Sequence, residues 1–325
     1  MNNKIGLVLG GGGGKGAYHI GVWEALEEFG LFDKISVFAG SSVGALNALL
    51  FTQGNSNLGK KVWENIFTED ILKFNPEKYK NRIPEKLYNF FKEHGFFSRD
   101  GLIDIIERYC DYEKFINSKK VVYGCCSDLS SFIYGTKALS SILGFILNKK
   151  IGNPVYFKLN DYNSNKIVKI LLASSAIPVI FDEEEIDGKL YFDGGISENI
   201  PIKPVYNEGC DIIITVPCSR DEVYDINKYP DTTIIEILPQ EDQGGMIKGT
   251  LNFSPTSAKV RFKQGYEDAK KILQEVYEID KIQRDYAFNL LKIKGIHENN
   301  MKQYKRIIEE RNISKNNLDK KIRGE

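Results

Sequence analysis

The chain of 325 residues has only three histidines and five cysteines, and neither set is arranged for metal or disulfide chemistry. Cys110, Cys125, Cys126, Cys210 and Cys218 include no C-x-x-C pair, and His19, His94 and His297 are scattered, so no zinc site is expected. An odd cysteine count in a chain with no secretory signature predicts buried free thiols. Neither charge is in excess: 44 Lys and Arg balance 44 Asp and Glu, which leaves nothing spare to neutralise a phosphate backbone and argues against a nucleic-acid partner. No run of eighteen or more uncharged apolar residues occurs, so no membrane-spanning helix is expected. Met1–Leu9 lacks the apolar stretch and small-residue cleavage site of a signal peptide. A cytoplasmic protein is expected on these grounds, with peripheral membrane contact and export without a signal peptide left open.

What is present is enough hydrophobic sequence, 42%, to bury one large core with or without an appendage. Ile5–Leu9 is a short apolar run ending in glycines and predicts a buried strand. Lys15–Phe29 predicts a helix closed by Gly30, Ile35–Ala39 a second strand, and Val43–Phe51 a second helix. This alternation opens an α/β sheet with crossover helices. Gly54–Asn117 reads as mainly helical. Val121–Cys125, Leu190–Phe192, Ile212–Val216 and Thr233–Leu238 read as further strands, with a helix over Ile167–Ser175. Asp187-Gly188 predicts a hairpin turn, because both residues tolerate positive φ. Beyond about Glu275 the sequence turns rich in Lys, Glu, Asn and Ile, which predicts one or two surface helices and a frayed tail. The expected division is 4–275 as the main domain and 276–325 as a charged helical extension.

Three motifs can carry chemistry. The first is Leu9-Gly10-Gly11-Gly12-Gly13-Gly14-Lys15-Gly16, between a strand and a helix, where backbone N–H groups can converge on an anion. A nucleotide P-loop requires Gly where Leu9 stands and Ser or Thr where Gly16 stands, so that chemistry fails. A dinucleotide fingerprint is matched by Gly11, Gly13 and Gly16, but the second strand ends at Ala39-Gly40 without the required carboxylate. An oxyanion hole remains, beside a glycine-rich turn that binds nothing. The second motif is Gly40-Ser41-Ser42-Val43-Gly44, a G-x-S-x-G elbow whose central Ser42 is the residue exposed on the turn. The third is Phe192-Asp193-Gly194-Gly195, a carboxylate at the C-terminal end of a strand, where α/β sheets place their sites. Its bland alternative is an ordinary turn aspartate.

Ser42 needs a base. A triad in the order Ser, Asp, His requires a histidine after Asp193, and only His297 qualifies, inside a polar C-terminal stretch. His94 and His19 each read as structural. The histidine count therefore points to a two-residue Ser–Asp device.

In this order the motifs resemble the patatin-like phospholipases. Ala173-Ser174-Ser175-Ala176-Ile177-Pro178 with Phe181 is similar to that family's helix before the aspartate, and Asn199-Ile200-Pro201 to the stretch after it. Gly14 departs from the family pattern, where alanine or another small residue is common, and the change is expected to be harmless. The resemblance spans approximately Lys4–Leu273 and implies a three-layer α/β/α fold with a mostly parallel sheet, extended by C-terminal helices. It also implies a Ser42–Asp193 dyad without metal or other cofactor, hydrolysing acyl esters of phospholipids. Gly11, Gly12, Gly13 and Gly14 would form the oxyanion hole, with the N–H groups of Gly12, Gly13 and Gly14 as donors. Lys15 takes the family's basic position, and Gly16, Gly40, Gly44, Gly194 and Gly195 flank the motifs. A phospholipase of A type is the expectation; a lysophospholipase, neutral-lipid lipase, thioesterase or silent lipid-binding protein are its alternatives. Ala138–Leu147, apolar and followed by Lys149 and Lys150, is a candidate membrane contact or acyl-channel segment as well as a candidate core helix. Phe90, Phe91, Phe96 and Phe97 form a second apolar cluster, read as core.

Overall fold

The computed structural model describes residues 3–71, 73–74, 97–98, 100–130, 151–178 and 180–323. Ala138–Leu147, His94, Phe90, Phe91 and Phe96 lie outside them. The chain forms two compact units, residues 1–271 and 272–325.

In the first unit eight strands build one sheet: β1 (Ile5–Leu9), β2 (Ile35–Ser41), β3 (Val121–Asp128), β4 (Asn153–Lys158), β5 (Glu184–Ile186), β6 (Lys189–Asp193), β7 (Ile212–Val216) and β8 (Thr233–Glu236). The order is β8-β7-β1-β2-β3-β6-β5, with β4 also paired to β3. Strands β8, β7, β1, β2 and β3 are mutually parallel, and β4, β6 and β5 add antiparallel pairs. The β5–β6 hairpin turns at Asp187 (φ 51°) and Gly188 (φ 76°), the positive angles expected of that dipeptide.

Helices cover both faces of the sheet. Trp23 of α1 (Tyr18–Glu28) stacks on Phe51 of α2 (Val43–Phe51) at 4.1 Å on one side. On the other, Val8, Val37, Ala39 and Ile213 pack with Ile202 and Val205 of α8 (Ile202–Asn207). Burial on both faces explains why β1 is a continuous apolar run rather than an alternating one. Between α2 and β3 lie α3 (Ser56–Glu64), α4 (Thr68–Ile71), α5 (Asp100–Tyr109) and α6 (Tyr112–Asn117), with a two-residue ladder pairing Lys73–Phe74 to Phe97–Ser98. Helix α7 (Ser164–Ser174) precedes the β5–β6 hairpin.

The glycine-rich start of the first expected helix forms a short 3-10 turn, Gly13–Ala17, and regular α1 begins only at Tyr18. Glycine's low helix propensity accounts for the delay. Helix α9 (Pro255–Arg323) starts well before the expected boundary. Its first turns carry Ala258, Phe262 and Ala269 at helical spacing, all buried within the first unit, and Pro255 suits the first helical position. The described part of the second unit is the remainder of α9, with exposed Ile282, Leu291 and Ile293 among its charged residues. No helix among the described residues is long and apolar enough to cross a membrane.

Candidate active site

The parallel register brings three strand ends together: Leu9 of β1 lies opposite both Gly40 of β2 and Val216 of β7. The glycine loop, the serine elbow and Cys218 therefore leave the sheet on one edge. The aspartate arrives from the opposite direction. Strand β3 pairs with β4 along Tyr123–Asp128 on one side. Its other side pairs first with β2, up to Ser41 opposite Cys125, and then with β6, starting at Asp193 opposite Cys126. Strands β2 and β6 thus meet end to end along one edge of β3, and the residues at their facing ends are Ser41-Ser42 and Asp193. A serine and a carboxylate 151 positions apart in sequence become neighbours by register alone.

Ser42 holds a strained backbone, φ 54° and ψ −128°, rare for a side-chain-bearing residue. Its N–H donates to Ser174 Oγ at 3.0 Å, and that hydroxyl donates to the Cys125 carbonyl at 2.6 Å. The elbow turns this tightly because residue 44 is glycine: a Cβ there would lie 2.1 Å from the Leu9 carbonyl oxygen. Gly40 and Gly16 serve the same crowding, facing the Gly44 backbone and the Val43 side chain.

Asp193 is 4% exposed and Ser42 5%. The Gly195 N–H donates to Asp193 Oδ1 at 2.8 Å, and the Asp193 carbonyl accepts from Ser127 Oγ at 2.7 Å. Oδ2 is buried with no hydrogen-bond partner. Burial drives the Asp193 pKa up to about 7, against the opposing pull of the Ser42 hydroxyl and the Gly195 N–H. The serine is thus near enough to influence the carboxyl, yet no well-formed Ser42–Asp193 hydrogen bond joins them. Gly194 lies against the Cys125 carbonyl and Gly195 against Asn199.

In the glycine loop, the Gly11 N–H is engaged, donating to Asn199 Oδ1 at 2.9 Å. Asn199 Nδ2 returns a bond to the Gly11 carbonyl at 3.3 Å and another to Glu222 at 2.9 Å. Gly13 and Gly14 open the 3-10 turn, so its ladder offers no acceptor to their amides. Gly13 has φ 55°, and a Cβ at Gly14 would lie 2.1 Å from the Asn252 carbonyl oxygen. The 252 backbone occupies the space an alanine methyl would need at Gly14, so the glycine fits where the family's commoner alanine would be crowded. Lys15 is half-buried, its stem against Gly249.

His19 is buried in a structural role. Asn47 Nδ2 donates to Nδ1 at 3.2 Å, Nε2 lies 3.2 Å from Cys218 Sγ, and burial lowers the imidazole pKa to about 3, keeping it neutral. His297 is exposed on α9 in the second unit. Cys125, Cys126, Cys210 and Cys218 are buried free thiols, and Cys110 is half-buried and free. Ser42 and Gly13 are among the residues that line an apolar cavity of about 110 Å³. Leu46, Leu50, Trp63, Leu102, Ile106 and Phe181 form much of its wall.

A serine elbow, a buried carboxylate and a glycine loop thus gather on one edge of a parallel-centred sheet. The family model described as patatin-like phospholipase matches residues 7–206, and the chain belongs to that family. An uncharacterized NTE family protein of Mycobacterium tuberculosis is 25% identical over 219 residues, 67% of this chain and 50% of the relative. Lysophospholipase NTE1 of Cryptococcus neoformans is 25% identical over 246 residues, 76% of this chain and 12% of the relative. Neuropathy target esterase sws of Drosophila melanogaster is 25% identical over 234 residues, 70% of this chain and 14% of the relative. The chain thus spans half or less of the length of these relatives. Among solved structures, VipD from Legionella pneumophila shares the fold with a TM-score of 0.51 at 16% identity, over 85% of this chain and 67% of that one.

Proposed function

We propose that the protein hydrolyses acyl esters of glycerophospholipids, as a phospholipase of A type, through a Ser42–Asp193 dyad. The observation that carries this reading is the end-to-end meeting of β2 and β6, which sets a strained serine beside a buried carboxylate whose Oδ2 has no partner. A small rotation of the Ser42 hydroxyl supplies that partner, and such contacts commonly tighten only when substrate binds. Asp193 Oδ2 then takes the hydroxyl proton as Oγ attacks the ester carbonyl. The N–H groups of Gly12, Gly13 and Gly14 hold the oxyanion. The tetrahedral adduct collapses, the alkoxide leaving group recovers the proton from Asp193, and an acyl-Ser42 ester remains. Water, deprotonated by Asp193, releases the fatty acid by the same path in reverse.

The apolar cavity that Ser42 helps to line suits an acyl chain. Lysophospholipid hydrolysis is a second reading, favoured by the relative named a lysophospholipase. Mass spectrometry of products from mixed diacyl- and lysophospholipids, wild type against Ser42→Ala, tests both. The proposal expects free fatty acid plus lysolipid from diacyl substrates with wild type only. Release from lysolipids alone favours the second reading, and equal release by Ser42→Ala removes both.

A further inference from the structure

Behind the glycine loop lies a charge that the dyad does not use. Arg261, in the first turns of α9, is 5% exposed, and no carboxylate pairs with it among the described residues. A buried guanidinium costs several kcal/mol unless its donors are satisfied. Here the compensation is five backbone carbonyls. Nη1 donates to Gly14 O at 3.1 Å and Asn252 O at 3.0 Å. Nη2 donates to Gln243 O at 3.4 Å, Lys248 O at 3.2 Å and Gly249 O at 3.4 Å.

One of these carbonyls belongs to the glycine loop and four to the segment that packs against it. That packing is backbone on backbone: the Cβ positions of Gly13 and Gly14 fall 2.2 Å from Thr250 O and 2.1 Å from Asn252 O. Convergent carbonyl oxygens repel one another in a medium of low dielectric, and a central cation reverses the sign of that interaction. Arginine suits the task because its planar fork spreads five donors over two directions, whereas lysine offers one compact ammonium. The Gly14 carbonyl and the Gly13 and Gly14 amides share one short turn, so gripping the carbonyl fixes where those amides point. Arg261 does not line the acyl cavity.

We propose that Arg261 is a positioning residue for the oxyanion hole, holding the glycine loop against residues 243–252 so that the Gly12–Gly14 amides face the oxygen of the carbonyl attacked by Ser42. The inference rests on the reading of the loop as an oxyanion hole. Its consequence is a defect in turnover with little change in substrate binding.

The test uses the 325-residue chain with the water-soluble ester p-nitrophenyl butyrate, comparing wild type, Arg261→Lys, Arg261→Ala and Ser42→Ala. Arg261→Lys should lower kcat about 10-fold or more while KM stays within about twofold, a share of the 10²–10³ lost with a whole oxyanion donor. Guanidinium ion at sub-denaturing concentration should restore turnover to Arg261→Ala but not to Arg261→Lys, since only the alanine variant leaves a guanidinium-sized space. Unchanged kcat in both variants, a rise in KM alone, or no rescue of the alanine variant overturns the proposal. Loss of the cooperative thermal melt in both variants assigns Arg261 to global stability and overturns it too. Turnover surviving in Ser42→Ala defeats the dyad reading itself, separately from Arg261.

Discussion

Replacing Asp193 by Asn should stabilise the protein while abolishing its activity, and the gain should depend on pH in a defined direction. Burial raises the Asp193 pKa from the ordinary 3.8 to about 7. A raised carboxyl pKa means that the folded state prefers the proton more than the unfolded state does. The native protein is then penalised as pH climbs from the unfolded value to the folded one, and the penalty is complete above about 7. At about 1.4 kcal/mol per tenfold change in acidity constant, the penalty is about 4 kcal/mol at pH 8 and about 1 kcal/mol at pH 4.5. Asparagine keeps the Oδ1 acceptor for the Gly195 N–H and removes the charge. Thermal melts of wild type and Asp193→Asn should therefore differ by about 8 °C at pH 8, taking roughly 2 °C per kcal/mol for a domain of this size, and far less at pH 4.5. A variant no more stable than wild type at pH 8, or a difference that does not change with pH, refutes the reasoning. The same pKa predicts an acid limb in kcat/KM near pH 7, above the range of an exposed carboxylate, because the base must be ionised.

Other predictions concern the walls of the site. Ser42→Gly should raise stability by about 1 kcal/mol by releasing the positive-φ strain, read by urea unfolding, with no activity left. Ser174→Ala should cost about 1–3 kcal/mol in the same assay, because it orphans the buried Ser42 N–H, and should lower kcat as the elbow loosens. Gly14→Ala should impair turnover and lower the melting temperature, since its methyl meets the Asn252 carbonyl. Ile106→Trp should shift preference towards shorter p-nitrophenyl esters by filling the cavity, with a KM rise that grows with chain length.

Features set by local chemistry were readable in the sequence. Strand β1 is a continuous apolar run, the Ser42 elbow has its two glycines, and Asp187-Gly188 makes the turn its composition demands. Features set by distant partners were not. Strand β4 carries Pro154 and has exposed residues at its start, and it exists because β3 offers it a pairing edge. Strand β3 runs on to Asp128 because β4 and β6 hold its last residues from both sides. Nothing local to Asp193 announces that β6 will meet β2 end to end. The G-x-S-x-G and D-G-G motifs named the residues, and the register supplied their proximity. Asn199 and Ser174 stood in stretches that resemble the family but had no assigned contact, and Arg261 belonged to no motif. A lone arginine in a charged helix looks like solvated surface until the carbonyls around it are known. The readable signal, in hindsight, was the helical spacing of Ala258, Phe262 and Ala269, which places α9's first turns in the core and Arg261 with them.

The most direct measurement is intact-mass spectrometry and peptide mapping after reaction with a long-chain alkyl fluorophosphonate, on wild type, Ser42→Ala and Asp193→Asn. A single adduct on the Ser42 peptide of wild type, absent from Ser42→Ala and strongly slowed in Asp193→Asn, is the predicted result. An adduct on another residue, or labelling of Asp193→Asn at the wild-type rate, contradicts a nucleophile activated by its neighbouring carboxylate.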